Sequence, residues 1–210
     1  MHAAVAPTAP EQWTLYQQAV VDIQLADHAL RVTPGPRGTA KGLFPESSGR
    51  TIHVITAFNP RGRTAPAEDN DRAQRLLLDE IDRRTLTWWP AAGGDAHGVH
   101  VERSAAVVGL SDAAARELGR CFGQDAIFAW TPDSWRLLSC AGDDVAVYGW
   151  RTTTTTRPAD HAEVRSQWSN NTHPGSYGDM LSTGTGCVTV EAWVRTPQGS
   201  GPHARTSCMR

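Results

Sequence analysis

Lysine is almost missing from this chain of 210 residues: Lys41 stands alone, and arginine supplies the remaining positive side chains. Arginine forks suit bidentate contact with carboxylate or phosphate. Neither sign of charge dominates, because 20 Lys and Arg face 22 Asp and Glu for a formal net charge of −2. That balance removes any whole-molecule pull toward nucleic acid or anionic membrane, so neither is an expected partner. Only a local arginine group at Arg72, Arg75, Arg83 and Arg84 runs against it. No apolar run approaches the roughly 18 residues that a membrane helix needs, which excludes a helical membrane protein. The opening residues lack the basic and apolar regions of a secretory signal, so a cytoplasmic location is expected.

Cysteine is sparse as well. Cys121, Cys140, Cys187 and Cys208 are widely scattered with no C-x-x-C pair. Zinc-ribbon and thioredoxin-type chemistry are thereby excluded, and reduced, unpaired thiols are expected. The G-x-x-x-x-G-K-[ST] phosphate loop, the G-x-G-x-x-G turn and the G-x-S-x-G nucleophile elbow are all absent. No cofactor is expected.

What is present begins with Thr51-Ile-His-Val-Ile-Thr-Ala-Phe-Asn-Pro-Arg-Gly-Arg63. Its nearly continuous apolar, β-branched run predicts a central strand over 51–58, and Asn59-Pro60 breaks it. A helix is predicted from about Pro66 to Arg84. Proline at its start, with Glu68 and Asp69 beside it, suits a helix N-terminus, and Ala73, Leu76, Leu77 and Ile81 form an apolar stripe.

Further strands are predicted at Thr85–Pro90, His100–Leu110, Asp125–Trp130 and Trp135–Cys140. Ser111 can N-cap a helix whose Ala114, Leu118, Cys121 and Phe122 share one face, with Gly123 as the stop. Upstream, the apolar spacing of Trp13, Tyr16, Ala19, Val20 and Ile23 is helical at first, while Val20-Val21 leaves the later part open to a strand. Arg31 to Lys41, rich in proline and glycine, is predicted to be a loop.

The resulting order of strand, helix, strand, strand, helix, strand predicts an α+β fold. Its expected form is a ferredoxin-like or related split βαβ layout, with helices on one face of a mainly antiparallel sheet. The domain is expected to span residues 10–145. Residues 150–210, beginning with the Thr152–Thr156 run, are expected to form a poorly ordered extension that cannot offset its ordering entropy. Within it, only Cys187–Val194 has a strand-like pattern, and Trp168 and Trp193 argue against complete disorder.

Polar residues at the predicted element ends define a candidate site. Thr56, Asn59 and Arg61 follow the central strand, Asn70 lies on the first turns of the next helix, and Gln124 follows Gly123. Arg61 and helix-start amides suit an anionic group, whereas Asn-Pro turns and capping asparagines also serve to brace a fold. Period two puts His100, Glu102 and Ser104 on one strand face, which makes Glu102 the candidate catalytic residue, as general base or polar anchor. His97 and His100 add potential ligands, but the cysteine pair of a zinc deaminase is missing and no metal is expected.

In this order and spacing, Ile55-Thr-Ala-Phe-Asn-Pro60, Asn70, Glu102-Arg-Ser104 and Phe122-Gly-Gln-Asp-Ala-Ile-Phe128 resemble the bacterial family called domain of unknown function 3293. The resemblance runs from about Trp13 to Cys140 and implies a domain extent without an activity. The chain departs from the family's pattern at His100-Val101, where an aromatic precedes the glutamate. The expected function is binding or processing of a small anionic or nucleotide-like ligand. The alternative is a non-enzymatic protein-interaction module whose polar residues are structural.

Overall fold

The computed structural model describes residues 10–45 and 48–156. The Cys187–Val194 pattern, Trp168 and Trp193 lie outside them.

Helix α1 (Pro10–Gln18) leads directly into strand β1 (Val20–Gln24), so the Val20-Val21 pair is where helix gives way to strand. There follow β2 (His28–Gly35), the two-residue β3 (Ala40–Lys41), β4 (Ile52–Thr56), a 3-10 turn (Pro60–Gly62) and α2 (Ala67–Arg83). Then come β5 (Trp88–Gly94), β6 (Val101–Val108), α3 (Asp112–Cys121), β7 (Ala126–Trp130), β8 (Trp135–Ser139) and β9 (Val145–Thr156). Ser111 caps α3 as expected, its hydroxyl accepting the Ala114 N–H at 3.2 Å.

The strands hydrogen-bond in the order β2-β1-β5-β6-β4-β7-β8-β9, and β9 pairs again with β2. Eight strands thus close into an antiparallel barrel, with β3 added in parallel beside β9. This overturns the ferredoxin-like α+β expectation of an open sheet with helices on one face. Each neighbour of β4 is antiparallel to it, in the registers Thr56↔Ser104 and Ile52↔Trp130. The expected layout used only the strands between residues 51 and 140. It left out β1, β2 and β9, the three that complete the circle. β2 was hidden by Pro34 and Gly35, which punctuate its end and made the segment read as a loop. β9 was hidden by the run Thr152–Thr156, repetitive in composition yet β-branched throughout. The strand crosses the point at residue 150 where the sequence changes character, and Trp150 is 4% exposed.

Closure divides the apolar residues into two sets. Val21, Ile23, Leu30, Val32, Ile52, Val54, Ala106, Val108, Trp130, Trp135 and Trp150 pack together as the barrel interior. Alternation sends His53 and Ile55 of β4 outward, beneath the helices. There α2 lies against β6, and α3 against β4, β7 and β8. β4 is therefore buried on both faces, which is why its sequence runs apolar without alternation.

The two barrel mouths differ. At the Ile52 end, Phe44 meets Trp130 edge-on at 4.8 Å, and Trp130 meets Trp150 edge-on at 5.3 Å. The Thr152 hydroxyl holds this strap by accepting the Leu43 N–H at 2.7 Å and donating to the Leu43 carbonyl at 3.0 Å. The opposite mouth gathers the end of β4, the start of β6 and the start of β1, through the registers Thr56↔Ser104, Gly94↔Val101 and Val20↔Gly94. It is polar.

Two ties bind α3 to the barrel. Buried Arg116 donates to the carbonyls of Ser139 (2.6 Å), Gly142 and Asp144 (3.5 Å), so its cation is met by backbone dipoles. Asp112 accepts from Arg136 of β8 and from Nε2 of His53, 2.9 Å away. The thiol of Cys140 is buried and free, as expected, and burial pushes its pKa up to about 12.

His53 is fully buried, and its Nδ1 has no partner among the described residues. Burial lowers its pKa more than the Asp112 bond raises it. The ring is thus a neutral imidazole that donates from Nε2. Protonating Nδ1 would bury an N–H without an acceptor. With the folded pKa below the unfolded value of about 6.5, the unfolded chain binds the extra proton, and stability falls as pH drops through that value. Asp112 adds to the loss at lower pH. Burial raises its pKa, but the bonds from Arg136 and His53 outweigh that and hold it below 3.8. The urea midpoint is expected to fall from about pH 7.5 to about pH 5.5, and the fall to shrink in His53→Gln. An unchanged midpoint in the wild type over that window would contradict this account.

Candidate functional site at the polar barrel mouth

The chain leaves β4 through a tight turn that only unusual backbone can make. Asn59 sits in the left-handed region (φ 48, ψ 56), and so do Arg61 (φ 60, ψ 34) and Gly62 (φ 62). Asparagine tolerates that region and glycine is at ease there, but arginine is strained. Outliers of this kind persist only where surrounding bonds over-determine them.

Those bonds are present. The Asn59 N–H donates to Oδ1 of Asn70 at 2.8 Å, and Nδ2 of Asn70 donates back to Oδ1 of Asn59 at 3.1 Å and to the Ala65 carbonyl at 3.3 Å. Oδ1 of Asn59 also accepts the Ala65 N–H at 3.0 Å. Nδ2 of Asn59 reaches Oε1 of Glu102 on β6, 2.7 Å away. Asn59, Asn70 and Glu102, separated widely in sequence, therefore converge on one knot.

Thr56 and Gln124 sit beside the knot and bond to backbone. The Thr56 hydroxyl donates to the Arg103 carbonyl (2.7 Å) and accepts the Phe58 N–H (3.0 Å). Nε2 of Gln124 donates to the Phe58 carbonyl at 2.9 Å, joining the α3–β7 junction to the turn. The Arg61 N–H donates to the Gly123 carbonyl at 2.7 Å, while the Arg61 side chain is exposed. Gly123 has φ +70, and a Cβ there would lie 2.8 Å from Cβ of Pro60, so the junction can approach this turn only as glycine.

Glu102 is the hub. Its Oε1 accepts from Asn59 and lies 3.1 Å from Nε2 of His100, an exposed imidazole in the bend just before β6 and not on the strand face expected from the sequence. Oε2 takes part in no hydrogen bond between described residues, and it is not among the sealed polar atoms. His97 stays in the β5–β6 turn, where its N–H donates to Asp95. Among the described residues, no group of three or more His, Cys, Asp or Glu is placed to hold a metal ion.

Several participants carried no clear signal in the sequence. Gln74, one turn beyond Asn70 on the inward face of α2, accepts the Ala57 N–H at 3.1 Å, and its buried Nε2 has no partner among the described residues. Its signal was a polar residue four places from Asn70 on the face that α2 buries. Tyr16 was counted only as an apolar position of α1. Nε2 of Gln12 donates to its hydroxyl at 2.7 Å. Burial first, then the carboxylates of Asp125 and Glu102, push the phenol pKa up to about 12. Burial also raises the Asp125 pKa, with Arg61 opposing. Arg103 pairs with Asp71 on α2 and places its guanidinium over the Phe58 ring, 5.3 Å from the centroid.

The knot makes two stability predictions. Asn70→Ala removes the acceptor for the Asn59 N–H and is expected to cost roughly 1–3 kcal/mol in urea unfolding. Asn59→Ala is expected to be less stable than Asn59→Gly by about 1 kcal/mol, since both lose the amide but only alanine bears the left-handed penalty. Equal midpoints for the two Asn59 variants would contradict the reading of the turn.

Residues 55–127 match the model of a protein family of unknown function, DUF3293, which bears out the family named from the sequence over a shorter span than the expected Trp13 to Cys140. The matched segment runs from β4 to the start of β7 and contains Thr56, Asn59, Arg61, Asn70, Glu102 and Gln124. No curated protein and no solved structure matches the chain.

Proposed function

We propose that this barrel, with its DUF3293 segment, binds or processes a small anionic or nucleotide-like ligand at its polar mouth. The reading is supported by one observation above the rest: Glu102 has one oxygen fixed by Asn59 and His100 while the other is left unengaged. A carboxylate held in this way is oriented without being neutralised. It can accept a ligand hydrogen bond, or take a proton as general base. In this reading the Arg61 guanidinium meets the anionic group from the rim. Thr56, Asn59, Asn70 and Gln124 act on the ligand through the turn they hold. Mouths of β-barrels are recurrent ligand sites, because a rigid wall surrounds a few convergent polar groups. A cytoplasmic setting belongs to the same proposal.

The second reading is a protein-interaction module. It is favoured by the amides of Asn59 and Asn70, which are consumed by the knot and not turned toward a ligand.

The discriminating experiment is a thermal-shift screen of the full chain against nucleotides, sugar phosphates and small carboxylates. A ligand of that panel is expected to raise Tm in the wild type. Glu102→Gln or Arg61→Ala should cut the rise at least several-fold without changing the ligand-free Tm. The ligand reading is overturned if no compound shifts Tm, or if a shift survives both substitutions. A partner recovered by pull-down with the intact chain that withstands them would then favour the second reading.

A further inference from the structure

His100 meets Glu102 through one ring nitrogen, with Nε2 lying 3.1 Å from Oε1. A carboxylate only accepts, so Nε2 carries the ring proton and donates it to this bond. Nδ1 is then left with a lone pair that no hydrogen bond between described residues uses, and it is not among the sealed polar atoms. The imidazole is 65% exposed, against 20% for the Glu102 side chain, so the open nitrogen can be reached from solvent. The backbone of His100 is fixed as firmly as its ring. Its carbonyl accepts the Asp95 N–H at 3.1 Å, and its N–H donates to the Asp95 carboxylate. The other Asp95 oxygen accepts the His97 N–H at 2.8 Å, so both oxygens are already engaged. A Cβ on Gly94 would lie 2.1 Å from the His100 carbonyl oxygen, so the hairpin can bring His100 this close to β5 only over a glycine. The imidazole is thus tethered at both ends and open at one nitrogen.

We propose that His100 is the catalytic base of the polar mouth, that Glu102 is its positioning residue, and that the reaction is hydrolysis of a small carboxylic ester. The inference rests on the ligand reading above and moves the proton-taking role from Glu102 to its neighbour. A carboxylate bonded to one ring nitrogen fixes the tautomer and orientation of an imidazole, and stabilises the imidazolium once a proton arrives. Asn59 holds that carboxylate in turn, at 2.7 Å. Water is the nucleophile, because the neighbouring hydroxyls already give their protons away. Thr56 donates to the Arg103 carbonyl at 2.7 Å, and buried Ser104 donates to the Glu102 carbonyl at 3.2 Å. Nδ1 takes a proton from the water as the water oxygen bonds the ester carbon, whose π pair moves onto the carbonyl oxygen. When that pair returns, the bond to the leaving oxygen breaks and the imidazolium gives its proton to that oxygen. One water is consumed, and an acid and an alcohol are released. The acid is a small carboxylate, the charge that Arg61 meets at the rim. Phosphoryl transfer calls for several cations around the phosphoryl oxygens, whereas this knot offers a carboxylate, an imidazole and amides.

The test uses the full chain and para-nitrophenyl acetate, an activated ester that yields acetate and para-nitrophenol. The wild type is expected to turn over repeatedly, and faster than free imidazole at the same concentration. His100→Gln should lower kcat at least tenfold with the ligand-free Tm unchanged. Glu102→Gln should lower kcat by a smaller factor. It should lower it no further in a chain that already carries His100→Gln, because Glu102 acts through the imidazole. His100→Gly should regain part of the lost rate when imidazole is added, which a purely structural role for His100 would not allow. The inference is overturned if the wild type is no faster than imidazole, if His100→Gln keeps the rate, if the two substitutions act independently, or if imidazole restores nothing. When a carboxylate of the wider screen still raises Tm in a Glu102-dependent way, those outcomes remove the catalysis alone. When nothing in that screen binds, the mouth as a ligand site falls with it.

Discussion

Closure of the barrel is the constraint on which everything else depends. Once β9 pairs with β2, each of the eight barrel strands is flanked by a strand on both sides, and the barrel itself has no free edge. Closure also forces each strand to present alternate residues to an enclosed interior. The interior must then be filled, and the chain fills it unevenly. Large aromatics crowd the Ile52 end, while Gly93, Ser104, Thr56 and Glu102 occupy positions toward the other. That unevenness creates an aromatic mouth and a polar one. The polar mouth is flanked by the turn after β4 and the α3–β7 junction, which bring further side chains to it.

At that mouth the energetic problem is a strained turn. Arg61 in the left-handed region costs stability wherever it occurs, and here the cost is offset by a reciprocal amide pair, by Gln124 and by the Gly123 carbonyl. The same bonds fix one oxygen of Glu102. Strain and orientation are therefore coupled. The bonds that keep the turn in its unusual shape include the one that fixes the carboxylate oxygen shared with His100. Removing a brace would disturb both together. For that reason structural and functional roles for Asn59 and Asn70 are not competing descriptions.

Much of this was legible from residues alone where local rules suffice. The polar cluster after a β-branched run located the turn at Asn59-Pro60, Ser111 announced the start of α3, and the apolar run of β4 marked a strand buried on both sides. Asn59, Asn70 and Glu102 were singled out one by one, and the fold brings them within bonding distance. The barrel itself was not legible. β1 is five residues long and follows a helix without a break, β2 ends in Pro34-Gly35, and the last strand includes a threonine run that reads as low complexity. Each becomes a strand because a neighbour supplies its ladder, a gain that no single segment displays. Tyr16 escaped notice for a related reason. A tyrosine at helical spacing looks like packing until the element facing its hydroxyl is known.

The sequence by itself determined the chemistry available to this protein: an arginine-rich but balanced surface, no helical membrane span, and polar residues reserved for element ends. Those properties are local, since composition and the character of a turn depend on neighbours in the chain. Tertiary structure alone decided that the sheet closes, that one mouth is aromatic and the other polar, and that Asn59 and Asn70 meet Glu102. Such outcomes depend on pairings between distant strands, whose favourable terms appear only when both partners are in place.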